Sequence, residues 1–233
     1  MHRGRCRTVR DSLTAAATVR RRKVTVMASL FSRGFRGRPR SQVDAGRLPP
    51  GQYETRSFPV LSAGPTPRAS LATWDFTVRG SRERTARWTW DEFQELPREQ
   101  VTADIHCVTK WSKFGTLWEG VSMDTLLAKA AAREVGAAPY VLAMCDGGYS
   151  TNLPLADVTG GKAWVALSYG GEPLPPEHGG PARLLVPHLY FWKSAKWVRE
   201  LRFLERDQPG FWESHGYHNY GDPWREQRYT GDE

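Results

Sequence analysis

The chain has 233 residues, 39% of them hydrophobic and 12% aromatic, which is enough for one substantial core with or without a tail. A formal charge of +8 would point to nucleic acid if it were spread evenly, but residues 1–40 hold 12 of the 33 Lys and Arg against one acid, Asp11, and the remainder sits at −3. The basic character therefore belongs to a terminal segment, and no stretch approaches the roughly 18 consecutive apolar residues of a membrane-spanning helix.

Taken in chain order, residues 1–40 read as a solvated, disordered basic tail, with nucleic-acid or membrane contact as the lesser reading. Arg20–Arg21–Arg22–Lys23 ahead of Val24–Phe31 invites a twin-arginine export signal. Ser29 and Ser32 interrupt that short apolar run, however, and Arg33 follows with no small-residue cleavage pattern. Met27 reads as a natural start. The expectation is a cytoplasmic protein, with twin-arginine export as the alternative. Residues 41–70, rich in Pro, Gly and Arg, read as an irregular arm laid across the body, because Tyr53, Phe58, Val60 and Leu61 offer something to bury.

Residues 71–233 read as one domain with no internal repeat. Leu71–Arg79 alternates apolar and polar residues, the pattern of a half-buried strand, and Arg87–Trp90 is a second short one. Asp91 is read as the cap of a brief helix that stops at Pro97. Val101–Val108 looks like a buried strand leading into a polar and aromatic loop, after which Ser122 caps a helix with Met123, Leu126, Leu127 and Ala130 on one face. Further strands follow at Tyr140–Met144, Ala163–Tyr169, Leu184–Val186 and Ala195–Phe203, separated by the Asp146-Gly147-Gly148 and Gly170-Gly171 turns. Short strands with few helices and many turns predict a β-rich α+β fold. Cys6, Cys107 and Cys145 form no C-x-x-C pair, which excludes a disulfide framework or a cysteine-rich zinc site. Cys6 lies in the tail, Cys145 reads as a small core residue, and Cys107 stands at the end of a strand.

Three blocks carry a resemblance: Ile105-His-Cys-Val-Thr-Lys-Trp-Ser-Lys113, Gly171-Glu-Pro-Leu-Pro-Pro-Glu-His-Gly-Gly-Pro-Ala-Arg-Leu-Leu-Val-Pro187, and Lys193-Ser-Ala-Lys-Trp-Val198. In order and spacing, from about Ser57 to Tyr220, the chain resembles the oxidoreductase molybdopterin-binding domain shared by sulfite oxidases, assimilatory nitrate reductases and the periplasmic methionine-sulfoxide reductase catalytic subunit. The resemblance implies a β-rich mixed-sheet fold, Mo-molybdopterin as cofactor, and two-electron oxygen-atom transfer on a small substrate such as a sulfoxide, N-oxide or oxyanion. In this family the metal is held by the dithiolene sulfurs of the pterin, so the protein supplies one soft ligand, and Cys107 occupies that position. The resemblance places Asp146, His178, Arg183, Ser194, Ala195 and Lys196 against the cofactor, and Ser62 and Gly64 on its first pterin-contacting stretch. The guanidinium fork of Arg183 and the point charge of Lys196 suit a phosphate. Tyr217, five residues beyond Trp212, matches the family's active-site tyrosine.

The chain departs from sulfite oxidase where that enzyme binds its dianion. Trp111 and Ser112 stand where substrate arginines follow the ligand cysteine, and Leu61 stands where another lies. Burying a dianion without paired donors is costly, so sulfite specificity is in doubt. The Trp-Ser pair is closer to the methionine-sulfoxide reductase branch, and Lys110 and Lys113 are the remaining cations nearby. No haem, flavin or nicotinamide motif is present, which implies a separate redox protein as electron donor or acceptor. Two rival readings stay open: a non-catalytic molybdopterin-binding or carrier protein, and nucleic-acid binding through the basic N-terminus.

Overall fold

The computed structural model describes residues 46–80, 84–130 and 138–233, with Arg84 and Thr85 described by backbone only. The basic tail, Met27, the twin-arginine run and Cys6 lie outside the described residues. Among the described residues no helix is long and apolar enough to cross a membrane.

The arm contributes a two-residue strand, β1 (Tyr53–Glu54), and a short 3-10 turn at Leu71–Thr73 follows it. The strand expected from Leu71 begins only at β2 (Asp75–Arg79), where Phe76, Thr77 and Val78 are all buried. Its alternation holds: Phe76 and Val78 enter the main core, while Asp75, Thr77 and Arg79 share a polar outer face with Arg87, Glu200 and Arg202. Next come β3 (Arg84–Thr89) and the short helix α1 (Trp90–Gln94). The cap of α1 is Thr89, not Asp91: the Thr89 hydroxyl accepts from Glu92 N while the Glu92 carboxylate reaches back to Thr89 N, a reciprocal capping box. Asp91 instead lies in the first turn, where its charge suits the helix dipole.

β4 (Glu99–His106) runs into a tight hairpin with β5 (Trp111–Ser122), twelve residues long. The expected polar and aromatic loop after β4 is therefore this second strand. Its glycines and lysine disguise it, but it pairs with β4 on one edge and with β1 and, farther along, with the central strand of its sheet on the other. Ser122 caps α2 (Met123–Lys129) as expected, accepting from Thr125 N at 3.3 Å and turning Met123 and Leu126 inward.

The expected β6 (Tyr140–Cys145), the unforeseen β7 (Ser150–Pro154) and the one-turn α3 (Leu155–Val158) lead to β8 (Trp164–Tyr169). The brief β9 (Glu172–Pro173), β10 (Arg183–Leu185), β11 (Val198–Leu204) and α4 (Phe211–Ser214) complete the set. Residues 195–197, expected in the last strand, form a turn that places Trp197 at φ 55.

The strands make two mixed sheets. One follows the order β3-β2-β11-β6-β7; the other follows β1-β5-β8-β10, with β4 on β5 and β9 on β8. β8 shows how they share the interior. Val165 and Leu167 join the main core with Phe76, Val141 and Leu201, whereas Trp164 and Ala166 join a smaller, aromatic-rich core with Trp111, Trp118, Tyr190 and Trp192. Successive side chains of a strand point to opposite faces, so the second sheet is covered on both sides and reads as a continuous apolar run. Gly120 is required at the irregularity where β5 pairs with β8, because a Cβ there would lie 2.3 Å from Val165 O. The result is the β-rich, mixed-sheet α+β fold expected.

Candidate active site

The aromatic core is hollow at its outer edge. A cavity of about 550 Å³ opens there, and its walls come from the arm (58–67), the β4–β5 turn, the turn after β6, the loop before β10, the 191–197 turn and α4 with the residues after it. All ten residues singled out from the sequence line this one cavity: Ser62, Gly64, Cys107, Asp146, His178, Arg183, Ser194, Ala195, Lys196 and Tyr217.

Cys107 belongs to the aromatic core and is buried. It opens a three-residue hairpin loop in which Cys107 N donates to Trp111 O at 2.8 Å and Lys110 N to Cys107 O at 2.9 Å. Lys110 takes the left-handed position, φ 76, that closes such loops and is more often glycine. The sulfur receives a hydrogen bond from Thr109 Oγ1 at 3.1 Å. Burial pushes the thiol's pKa up, against the hydrogen bonds from Thr109 and the charge of Arg228. An uncoordinated Cys107 is therefore protonated at neutral pH. Cys145, at the end of β6, packs on the main core, and burial followed by the charge of Asp146 pushes its pKa up too, so it is the inert core thiol expected.

Three basic groups face the cavity. Arg183 enters on β10, fully buried, with its guanidinium 4.1 Å over the Phe191 ring. It donates to His178 O at 2.8 Å and Ser194 O at 2.6 Å, and its Nε has no partner. Lys196 donates to Leu61 O at 2.7 Å and Glu177 O at 2.6 Å, fastening the arm to the cavity rim. His178 stacks on Phe58 with ring centroids 4.0 Å apart, and its Nδ1 is buried without a partner. Among the described residues neither Arg183 nor Lys196 lies within ion-pair distance of a carboxylate. Burial, then the charge of Arg183, pulls Lys196 down to about 8, and burial followed by Arg183 and Lys196 depresses His178. Crowded, unneutralised cations with idle donors make a site for an anionic group.

The remaining expected residues are placed with qualifications. The Ser194 hydroxyl accepts from Val186 N at 2.8 Å, so its carbonyl rather than its side chain serves the site, through Arg183. Asp146 is fastened by Trp197 O to its N–H and by Arg199 at 3.4 Å to its carboxylate. Ser62 and Gly64 form an exposed turn of the arm. Val60 and Leu61, expected to be buried, are each 49% exposed because the arm runs along the cavity mouth. Of the two residues expected to stand where sulfite oxidase has substrate arginines, Trp111 lines the cavity, but Ser112 faces away and bonds His106 Nδ1 at 2.8 Å and Gln52 Oε1 at 3.3 Å. Lys113 is held by Arg56 O at 2.5 Å, and neither it nor Lys110 reaches the cavity wall.

Tyr217 lies half-buried, stacked on Trp212 at 4.8 Å and edge-on to Trp192 at 5.1 Å. Burial raises its pKa, and the phenol stays protonated. Sequence reasoning missed Tyr149, whose hydroxyl donates to Trp192 O at 2.7 Å, and it missed the Lys193–Glu213 pair behind that wall. Both side chains of the pair are 1% exposed, and their charges meet at 2.7 Å. Glu213 Oε1 also accepts from Trp192 Nε1 and Thr151 Oγ1, both at 2.9 Å. Lys193 was visible in the third block, three residues from Lys196, but strand and turn geometry alone decide which lysine faces the cavity.

The chain is similar to several known proteins. The model of the oxidoreductase molybdopterin binding domain matches residues 63–212. The uncharacterized oxidoreductase YuiH of Bacillus subtilis is 43% identical over 197 residues, spanning 84% of this chain and 98% of that protein. The putative protein-methionine-sulfoxide reductase subunit YedZ1 of Azospira oryzae is 36% identical over 180 residues, and the chain spans 66% of its length. Among solved structures, the sulfane dehydrogenase SoxCD from Paracoccus pantotrophus superposes with a TM-score of 0.53 at 22% identity over 60% of this chain and 40% of that one, a likeness of fold.

Proposed function

Because this chain belongs to the oxidoreductase molybdopterin-binding domain family, enzymes whose cofactor is Mo-molybdopterin, we propose that it catalyses two-electron oxygen-atom transfer on a small, uncharged substrate such as a sulfoxide or N-oxide, with Cys107 as the metal ligand. The observation that carries the reading is the pairing, within one cavity, of a buried thiol with two cations that have no carboxylate within ion-pair distance among the described residues.

The residues present fit the cofactor. Its phosphate and polar pterin edges call for donors inside the protein, and Arg183 Nε and His178 Nδ1 are buried polar atoms without partners on the cavity wall. Arg183 and Lys196 would hold the anionic end, and the turns at Ser62–Gly64, Asp146 and Ser194–Lys196 would frame the rest. When bound, the molybdenum centre supplies the two-electron redox couple.

The protein supplies orientation, dryness and a proton. The Cys107 turn fixes the direction of the soft ligand. Trp111, Phe191, Trp192 and Trp212 form an apolar wall that excludes water from the reacting region. Tyr217 holds a proton on its hydroxyl, and Trp212 and Trp192 keep the ring at the cavity edge. The described wall holds no arginine other than Arg183, so a dianionic substrate lacks a second fork, and sulfite is disfavoured. Electrons are exchanged with a separate redox protein.

Metal and pterin analysis of protein from a molybdopterin-competent host, wild type beside Cys107→Ser, tests the ligand. Loss of molybdenum and of visible absorption with an unchanged near-ultraviolet CD spectrum is expected, and equal molybdenum in the two would sink the assignment. A substrate panel with an artificial electron donor tests the rest: turnover of sulfite faster than of any neutral sulfoxide or N-oxide overturns the substrate class.

A further inference from the structure

The ligand turn is held from both ends of the described chain. Its carbonyls are captured one by one: Cys107 O by Gln52 Nε2 at 3.1 Å, Lys110 O by Tyr53 N at 2.8 Å, and Val108 O by Arg228 Nη1 at 3.0 Å. The first two partners come from the arm at β1, whereas Arg228 lies far along the chain, 120 residues from Val108.

Arg228 is unlike the surface arginines around it. It is 7% exposed, with its guanidinium 5.0 Å over the Tyr190 ring of the aromatic core. Its second nitrogen reaches Pro50 O at 3.4 Å and Glu226 at 3.5 Å, but Glu226 is 51% exposed and its charge is largely answered by solvent. The charge of Arg228 also acts on the Cys107 sulfur. Its backbone serves a second structure: Arg228 O accepts from His218 N at 3.1 Å, Arg228 N donates to Asp232 at 2.9 Å, and Tyr229 pairs with Tyr217 in an isolated bridge. One residue thus grips the Cys107 turn with its side chain and the segment that follows Tyr217 with its main chain.

We propose that Arg228 is a positioning residue that fixes the Cys107 turn relative to Tyr217 and sets a buried positive charge beside the metal ligand. The inference rests on the assignment of Cys107 as that ligand. A guanidinium suits the task because its planar fork serves Val108 O and Pro50 O together while remaining charged in a buried place. Lysine keeps the charge, but one nitrogen replaces the two that the guanidinium sets separately against Val108 O and Pro50 O. Glutamine loses the charge.

The test uses the holoenzyme, with Arg228→Gln and Arg228→Lys beside wild type and Cys107→Ser. Molybdenum and pterin content, the Mo(V) EPR spectrum and the Mo(VI)/Mo(V) midpoint potential are read on each. Removing a nearby positive charge favours the more oxidised metal, so R228Q is expected to move the midpoint to more negative potential and to change the EPR g-values. R228K is expected to keep the midpoint near wild type while broadening the EPR signal. A fully loaded R228Q with wild-type potential and spectrum overturns the inference and leaves the ligand assignment standing. Full molybdenum in Cys107→Ser overturns the assignment itself. If R228Q loses its near-ultraviolet CD spectrum, R228K decides: a sharp, wild-type EPR signal in that variant refutes the positioning role.

Discussion

Replacing Glu213 by leucine is expected to cost much of the protein's stability, because it strands a buried ammonium. Lys193 Nζ would keep Asn152 O at 2.9 Å, Asn152 Oδ1 at 3.0 Å and Asn219 O at 2.7 Å, but would lose its contacting carboxylate and retain only the more distant charge of Asp207. Breaking a buried pair from one side costs about 3–5 kcal/mol. Trp192 Nε1 and Thr151 Oγ1 also lose their acceptor, and stranded donors cost about 1–3 kcal/mol each. The terms overlap, so about 5 kcal/mol is expected, comparable to the lower end of total domain stabilities. With an m-value of about 2 kcal/mol/M, the urea midpoint should fall by roughly 2 M or more. Lys193→Met, which strands the carboxylate, should behave alike. The double variant Lys193→Met/Glu213→Leu removes both charges and leaves only the two stranded donors, at about 1–3 kcal/mol each, so it should cost well below the sum of the singles. Urea titrations followed by tryptophan fluorescence measure all three. A single-variant cost below about 1 kcal/mol, or a double variant that costs the sum of the singles, would refute the reasoning.

Three other expectations follow from particular atoms. Lys196→Ala removes a cavity cation that is also the arm's fastening, so pterin content after gel filtration should fall at least several-fold while the urea midpoint changes little; full retention of pterin contradicts an anion-holding role. His218 Nδ1 accepts from Tyr220 N and Gly221 N, both at 3.0 Å, and burial followed by Lys193 and Arg225 depresses its pKa. The folded state thus favours neutral His218, whose stabilisation is complete above about pH 6.5 and is lost as the pH falls toward the lowered pKa. His218→Asn, with an oxygen where Nδ1 was, should flatten that limb of the stability profile, and an unchanged slope argues against it. Gly120→Ala drives a Cβ into Val165 O and should abolish soluble protein, whereas Gly160→Ala, whose added Cβ meets nothing within 4 Å and which carries only the modest strain of its φ of +70, should remain foldable; equal yields of the two would contradict the close approach of the two strands.

Much of the site was legible because its residues act through chemistry that sequence displays. A cysteine at the end of a strand, an arginine just before an apolar triplet, and a lysine in a short polar block each announce themselves, and the cavity brings them together. What stayed hidden depends on direction. Ser194 was legible as a site residue, but not that its hydroxyl turns to Val186 N. Trp111 and Ser112 were read together as replacements for arginines, yet strand alternation sends one into the cavity and the other to His106. β5 was missed because a strand with three partners and a bulge between Glu119 and Gly120 shows no steady period. Arg228 gave no signal, since an arginine among charged neighbours looks solvated until the chain folds back on the ligand turn.

The alternation along β8 makes that strand separately editable. Trp164 and Ala166 belong to the core around the cavity, while Val165 and Leu167 answer to the packing between the sheets. A lineage or an engineer could therefore reshape the aromatic surroundings of the site through the even positions and leave the odd ones untouched, so that changes of specificity need not be drawn from the reserves that keep the protein folded.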